Sequence, residues 1–421
     1  MIGLGLLLAQ VLVILAVSRA IGWGMRAIGQ PRVVGEMIAG VALGPSLFGV
    51  IAPSTWRALF PVDHMVPLAA LSQFGVLLFM FVIGLRVNRS EVRERAGTAI
   101  AVSQASIAVP FILGALIATL LYPSLAGPGV NGKAVALLPF ALFVGTAMSI
   151  TAFPVLARIL IERKMIGTPL GSVAIACAAA DDVTAWFIRA GIVTIARAAG
   201  GTGAMAIKLL IVTAIVGLAI TIGRRGLRYL NRRRVTKGSL VDADTVGLAV
   251  LLALALGLVT EAAGVHALFG AFLAGVIMPR ESNLARELAD RIEPLVATVL
   301  LPIFFAYTGL LTQIGLLHGL AMWTACASLI LVAVAGKFGG STGAARLTGM
   351  SWKDSMTIGI LMNTRGLMEL VVLNIGLELG VISPTLFAML VLMALVTTIM
   401  TSPLLQALQR RPITTGVSSR S

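Results

Sequence analysis

Two adjacent aspartates, Asp181 and Asp182, stand in Ala178-Ala-Ala-Asp-Asp-Val-Thr184, near the middle of a long apolar run. An aspartate at the centre of a membrane helix costs about 2.5–3.5 kcal/mol on insertion scales, so two in succession require a functional reason. Desolvation penalises the charged form of a carboxylate, and a second carboxylate alongside penalises it further. A group so placed can hold either a proton or a cation, which is the property a proton-coupled carrier needs. Successive helical residues point about 100° apart, so the two carboxylates need not serve one partner.

Other charges lie inside apolar runs. Lys337 sits in Val334-Ala-Gly-Lys-Phe-Gly-Gly340, where small residues permit close helix contact. A buried lysine beside a carboxylate can stay charged. Two readings stay open for it: permanent neutralisation of Asp181, or a pair that opens when a cation arrives and joins the proton cycle. Arg365 and Glu369 are four apart on one helix face, which predicts a mutual ion pair; a cationic plug between half-helix ends is the alternative. Arg189 is expected to snorkel outward. Glu36, Glu261 and His266 lie near helix ends and read as packing or funnel-lining residues. Cys177 and Cys326 stand singly, without metal or redox spacing, and read as packing residues.

Two of the apolar runs are interrupted. One reads Gly145-Thr-Ala-Met-Ser-Ile-Thr-Ala-Phe-Pro154, and its proline leaves the Ile150 carbonyl without a helical partner. Thr146, Ser149 and Thr151 add hydroxyl oxygens nearby; alone, this run reads equally as an ordinary proline kink. The other, Met362-Asn-Thr-Arg-Gly-Leu-Met-Glu369, puts Asn363, Thr364, Arg365 and Gly366 in succession inside an apolar stretch. Broken backbone at membrane depth is tolerated where it is buried in protein or lines a cavity. A pair of broken helices in inverted positions points to a transporter site at a repeat interface.

The elements that must position these groups are transmembrane helices. The 421 residues are 58% hydrophobic and only 12% charged, with mean hydropathy +1.01, whereas soluble domains carry about 25% charged residues. Thirteen apolar segments fall at 2–22, 33–50, 66–85, 97–122, 134–157, 169–196, 205–223, 243–260, 264–279, 294–312, 319–345, 355–379 and 384–408. The two interrupted segments are the fifth and the twelfth, an odd offset that makes them antiparallel. The matching triplets are segments 4–6 and 11–13.

The net charge of +15 does not imply nucleic acid, because the charge is not gathered on a soluble face. Odd-numbered connections carry most of the basic residues, among them Arg86, Arg93, Arg163, Arg225, Arg232, Arg286 and Arg346, while Arg57, Lys133, Arg197 and Lys208 fall on the other side. By the positive-inside rule the basic side is cytoplasmic, the N-terminus outside and the C-terminus inside. The first segment lacks a basic n-region and reads as a retained span. No connection is long enough for a soluble domain, and the tail is too short for a nucleotide-binding regulator.

With these residues in view, the chain resembles the monovalent cation:proton antiporters, in the branch of bacterial sodium/proton exchangers, potassium-efflux membrane domains and plant cation/proton exchangers. The stretches that carry the resemblance are Val34-Gly-Glu-Met-Ile-Ala-Gly-Val-Ala-Leu-Gly-Pro-Ser46, Thr151-Ala-Phe-Pro-Val-Leu-Ala-Arg-Ile-Leu160, Ala180-Asp-Asp-Val183, Gly270-Ala-Phe-Leu-Ala-Gly275 and Asn363-Thr-Arg-Gly366. The resemblance implies an all-α polytopic membrane protein of about 13 helices, with inverted repeats and two crossing broken helices.

It further implies dimerisation helices over 1–96 and 241–315, core helices over 97–200 and 316–408, a linker helix and basic loop over 201–240, and a short tail over 409–421. Asp182 corresponds to the carboxylate that binds cation and proton, Asp181 to its variable neighbour and Lys337 to the lysine of electrogenic members. Thr151 corresponds to a position near the ion at the helix break.

The implied activity is exchange of sodium or potassium for protons by alternating access in a bacterial inner membrane. It is expected to be electrogenic, with no cofactor, no enzymatic chemistry and a homodimeric state. Electroneutral potassium/proton exchange is the alternative, followed by a cation channel or a sodium-coupled solute symporter. The extended Asn363–Glu369 run is closer to the plant-type and potassium-handling relatives.

Overall fold

A computed structural model describes residues 2–87, 94–126, 135–196, 242–262, 266–279, 283–310, 317–366, 369, 372–373, 376–377 and 380–410. The seventh segment and nearly all of the basic loop after it lie outside these residues, as do residues 88–93 of the segment 3–4 connection and the tail from residue 411. The side chain of Arg189, expected to snorkel, also lies outside them.

Among the described residues the protein is built from helices, and eight stretches are long and apolar enough to cross a membrane. The helices are α1 (Ile2–Ala27), α2 (Arg32–Leu43), α3 (Phe48–Ile51), α4 (Pro53–Leu59), α5 (Val66–Arg86) and α6 (Ala96–Leu125). They continue with α7 (Leu137–Ser149), α8 (Phe153–Glu162), α9 (Pro169–Ala196), α10 (Ala243–Ala262) and α11 (Ala267–Ile277). The last are α12 (Leu284–Leu295), α13 (Leu301–Leu310) after a π-helical turn at Val296–Leu300, α14 (Gly319–Leu347), α15 (Trp352–Met362) and α16 (Pro384–Arg410).

Packing divides these helices into two groups. In one, α2 lies on α1 and α13, while α5 lies on α11, α12 and α13, and α10 covers α11. Lipid-facing helices gain nothing from hydrophobicity alone, so close contact depends on small residues. A Cβ on Gly40 would fall 2.1 Å from the Ala306 carbonyl oxygen, and one on Gly84 would fall 2.2 Å from that of Phe272. At these crossings backbone meets backbone. Arg86, at the end of α5, is further tied to α12 through Asp290 at 2.9 Å and Glu293 at 2.5 Å.

In the other group, α6 packs on α14, α7 and α9, and α15 and α16 close around α14. Among the described residues the two groups touch at few places. Within the apolar layer, the Phe153 ring meets Phe272 edge-on, with centroids 5.0 Å apart. At the basic face the contacts are polar. The loop between α1 and α2 and the first residue of α2 are laced to the second group by Arg163 Nη2 to the Gly29 carbonyl (3.2 Å), Gln406 Nε2 to the same carbonyl (2.8 Å) and the Arg32 N–H to Glu162 (2.7 Å).

Among the described residues the helix ends mostly fall near the segments read from the sequence; the second segment is split between α2 and α3, the fifth runs on to Glu162, and the tenth departs most. The tenth segment begins in α12, ten residues before the apolar run, because Leu284–Leu295 is amphipathic and buries Ala285, Leu288, Ala289 and Ile292 while carrying Glu287 and Asp290. A hydropathy reading discards such a charged stretch; a face-by-face reading retains it.

Candidate functional site

Both interrupted segments are broken. α7 stops at Ser149, residues 150–152 are extended, and α8 restarts at Phe153 with Pro154 in its first turn. Proline is suited to that place, since the N–H it lacks has no intrahelical partner there. Thr146 and Ser149 return their hydroxyls to the carbonyls of Leu142 and Thr146, at 2.8 Å each. Thr151 does not, and its hydroxyl points elsewhere. α15 stops at Met362, and Asn363, Thr364, Arg365 and Gly366 leave the helix; Glu369 is again helical.

The two breaks cross. The Ala152 N–H donates to the Thr364 carbonyl at 3.0 Å. Gly366 lies against the opposite break, where an added Cβ would come within 2.8 Å of Val155 Cγ2 and 3.2 Å of Ala152 Cβ. The Thr398 hydroxyl of α16 brackets Arg365, accepting from its N–H at 3.0 Å and donating to its carbonyl at 2.8 Å.

A helix that ends in the membrane leaves carbonyls unpaired and carries partial negative charge there. The end of α7 is covered by two buried cations. Arg365 donates from Nη1 to the Ala147 carbonyl (3.0 Å) and from Nη2 to that of Met148 (2.5 Å). Lys337 donates to the carbonyls of Ser149 and of Ser106, the latter at 3.0 Å. Arg365 is thus a cationic plug, but on the first broken helix rather than between the halves of its own. Its distance to Glu369 is 3.9 Å, an ion pair without a hydrogen bond, and both Glu369 oxygens lack a donor among the described residues. The Asn363 side-chain oxygen is likewise buried without a donor.

The two aspartates have different surroundings. Asp181 is fully buried and saturated: Ser103 donates to Oδ1 at 2.6 Å, while Ser106 (2.7 Å), Thr151 (2.6 Å) and Lys337 (3.3 Å) all reach Oδ2. Asp182 is 9% exposed and has no hydrogen bond or ion pair from a described residue. Thr151, expected beside Asp182, is brought instead to Asp181, and its oxygen lies 3.5 Å from the Met362 carbonyl.

Sequence reasoning passed over Ser103 and Ser106. Their signal was available, as two serines three apart on one face of a long apolar helix that also carries Pro110. Arg158 falls one residue past the fifth apolar segment as read from the sequence. In the structure Arg158 is 5% exposed inside α8, 2.8 Å from Glu162 and 3.8 Å from Glu36. Glu261 and His266 cap the start of α11, accepting from the backbone N–H groups of Ala267 (2.7 Å) and Leu268 (3.4 Å).

The family described as sodium/hydrogen exchanger, transmembrane, matches residues 12–407. The chain belongs to this family. Similar members include the Na(+)/H(+) antiporter NhaS4 of Synechocystis, 41% identical over 97% of this chain and 98% of that protein. The Cation/H(+) antiporter 19 of Arabidopsis thaliana is 36% identical over 97% of the chain, and the K(+)/H(+) antiporter 1 of Saccharomyces cerevisiae is 34% identical over 96%.

The chain spans half or slightly less of the length of those plant and yeast relatives, at 50% and 46%. Among solved structures, the sodium proton antiporter MjNhaP1 of Methanocaldococcus jannaschii has the same fold. A three-dimensional electron-microscopy map gives a TM-score of 0.66 at 15% identity, covering 96% of both chains. A second structure at pH 8 gives 0.57 at 14% identity, over 96% of this chain and 97% of that one.

Proposed function

We propose that this exchanger-family protein moves a monovalent cation against protons by alternating access, with Asp182 as the group for which the two compete. The observation that carries this reading is the asymmetry of the aspartates. Asp181 spends its oxygens on three hydroxyls and Lys337, whereas Asp182, next to it and buried, takes no hydrogen bond or ion pair from a described residue. An uncommitted buried carboxylate gains most from taking up a counter-ion or a proton. Carboxylate, hydroxyl and carbonyl oxygens suit a hard cation.

The second helix group, α6–α9 with α14–α16, is the moving core, and the first group is the scaffold. The basic face is cytoplasmic, and the membrane is a bacterial inner membrane. The names of the relatives, a sodium/proton and a potassium/proton antiporter, support exchange and leave sodium and potassium as the two cargoes. Purified protein in proteoliposomes with a pH-sensitive dye tests this: sodium or potassium salts should collapse an imposed proton gradient without organic solute. Exchange that persists in Asp182→Asn would overturn the assignment.

Stoichiometry depends on Lys337. Its ammonium is held by two carbonyls and Asp181, which favours a locked pair and one proton per cation. The electrogenic alternative requires Lys337 to leave those partners in another conformation. Clamping the membrane potential separates them, since only two-for-one exchange responds to voltage.

A further inference from the structure

A cavity of about 340 Å³ opens at the basic face, away from the crossed breaks, between α1, α2 and the turn before α13. Its lining includes Ser18, Arg19, Trp23, Arg26, Arg32 and Glu36. Two features set it apart from an ordinary crevice between helices. Ser18 and Glu36 are 2% and 4% exposed, and the Ser18 hydroxyl and the Glu36 Oε2 have no hydrogen-bond partner among the described residues. Buried polar atoms of native proteins are nearly always paired, so two orphans in the wall of one cavity point to a missing donor. The second feature is charge order: the same lining carries three exposed guanidinium groups and an indole that is 81% exposed.

Arginine, and not an acid, is what a phosphate group selects, and a tryptophan at such a level suits the headgroup layer of a bilayer. Glu36 and Ser18 select the opposite group, a compact cation with several N–H donors. Arg158, 3.8 Å from Glu36 Oε1, leaves the other oxygen free for it. We propose that this cavity binds a phospholipid whose headgroup carries a primary ammonium beside its phosphate, the ammonium on Glu36 and Ser18 and the phosphate among Arg19, Arg26 and Arg32. A quaternary ammonium cannot donate to Glu36, and a glycerol headgroup brings no charge to it.

The test is lipid titration of the full detergent-solubilised chain by native mass spectrometry, with phosphatidylethanolamine, phosphatidylcholine and phosphatidylglycerol of the same acyl chains. Soluble phosphoethanolamine is a fourth arm. The ethanolamine lipid should bind about tenfold more tightly than the choline lipid, the value of a hydrogen bond to a charged group. That preference should shrink in Glu36→Gln and in Ser18→Ala. Ser18→Ala leaves the Arg158 contact intact, so it keeps the test decisive if Glu36→Gln folds poorly. Equal binding of the choline lipid, equal or tighter binding of phosphatidylglycerol, a preference that survives both substitutions, or equal binding of soluble phosphoethanolamine would each overturn the proposal.

Discussion

The N–H of Ala152 and the carbonyl of Thr364 are hydrogen-bonded at 3.0 Å, which joins the two broken helices at the point where they cross. Each break satisfies part of the backbone that the other leaves open. The rest falls to side chains, chiefly Arg365, Lys337 and Thr398. The polar backbone at this depth is therefore an assembly of the two repeats, and neither break is satisfied alone.

Asp182→Asn should remove exchange and leave the fold nearly untouched. No described residue depends on its charge through a hydrogen bond, so the change in thermal stability should stay within about 1 kcal/mol. The dye assay together with a melting curve in detergent checks both halves. A large loss of stability would mean that Asp182 is a structural charge.

Ser103→Ala and Ser106→Ala each remove a hydroxyl donor to the buried Asp181 carboxylate. A hydrogen bond to a charged group contributes about 1.5–3 kcal/mol, so each variant should melt earlier. The same substitutions should cost less in an Asp181→Asn background. A double-mutant cycle read by thermal unfolding gives that coupling, and strict additivity would contradict the geometry.

Arg365→Ala should be more damaging than Arg365→Lys. The guanidinium reaches two carbonyls at once, on Ala147 and Met148, and an ammonium on a flexible stem cannot reproduce that fork. Removing it exposes the end of α7 and leaves Glu369 as a buried charge; breaking buried pairs costs about 3–5 kcal/mol. Folded yield and melting temperature should rank wild type above lysine above alanine.

Gly84→Ala should destabilise by about 1–3 kcal/mol through overpacking, because its Cβ would lie 2.2 Å from the Phe272 carbonyl oxygen. Gly97→Ala is the control, since nothing lies within 4 Å of an added Cβ there. Comparable melting shifts in the two variants would show that the α5–α11 contact gives way without penalty.

Much of the site was legible in the sequence, because its residues are expensive where they stand. Asp181, Asp182, Lys337 and Arg365 break apolar runs, and Pro154 and Asn363–Gly366 mark interrupted helices without reference to anything distant. The partnerships were not legible. Whether Thr151 faces Asp181 or Asp182 depends on how α9 is rotated against the crossing, and whether Arg365 answers to Glu369 or to Ala147 depends on where α7 ends. Ser103 and Ser106 were passed over because hydroxyls are common and cheap in membrane helices. Only the position of the carboxylate opposite them gives them a role.

The glycine crossings at Gly40 and Gly84 bear on mechanics. Where backbone touches backbone, no deformable layer of side chains is left between the helices, so that half of the molecule is stiff. In the alternating-access cycle proposed above, displacement between the halves is taken up where they meet. In the apolar layer that includes the edge of Phe153 resting on Phe272. A ring contact of this kind has no directional bond to break, and it can act as a dry bearing surface on which one half slides past the other.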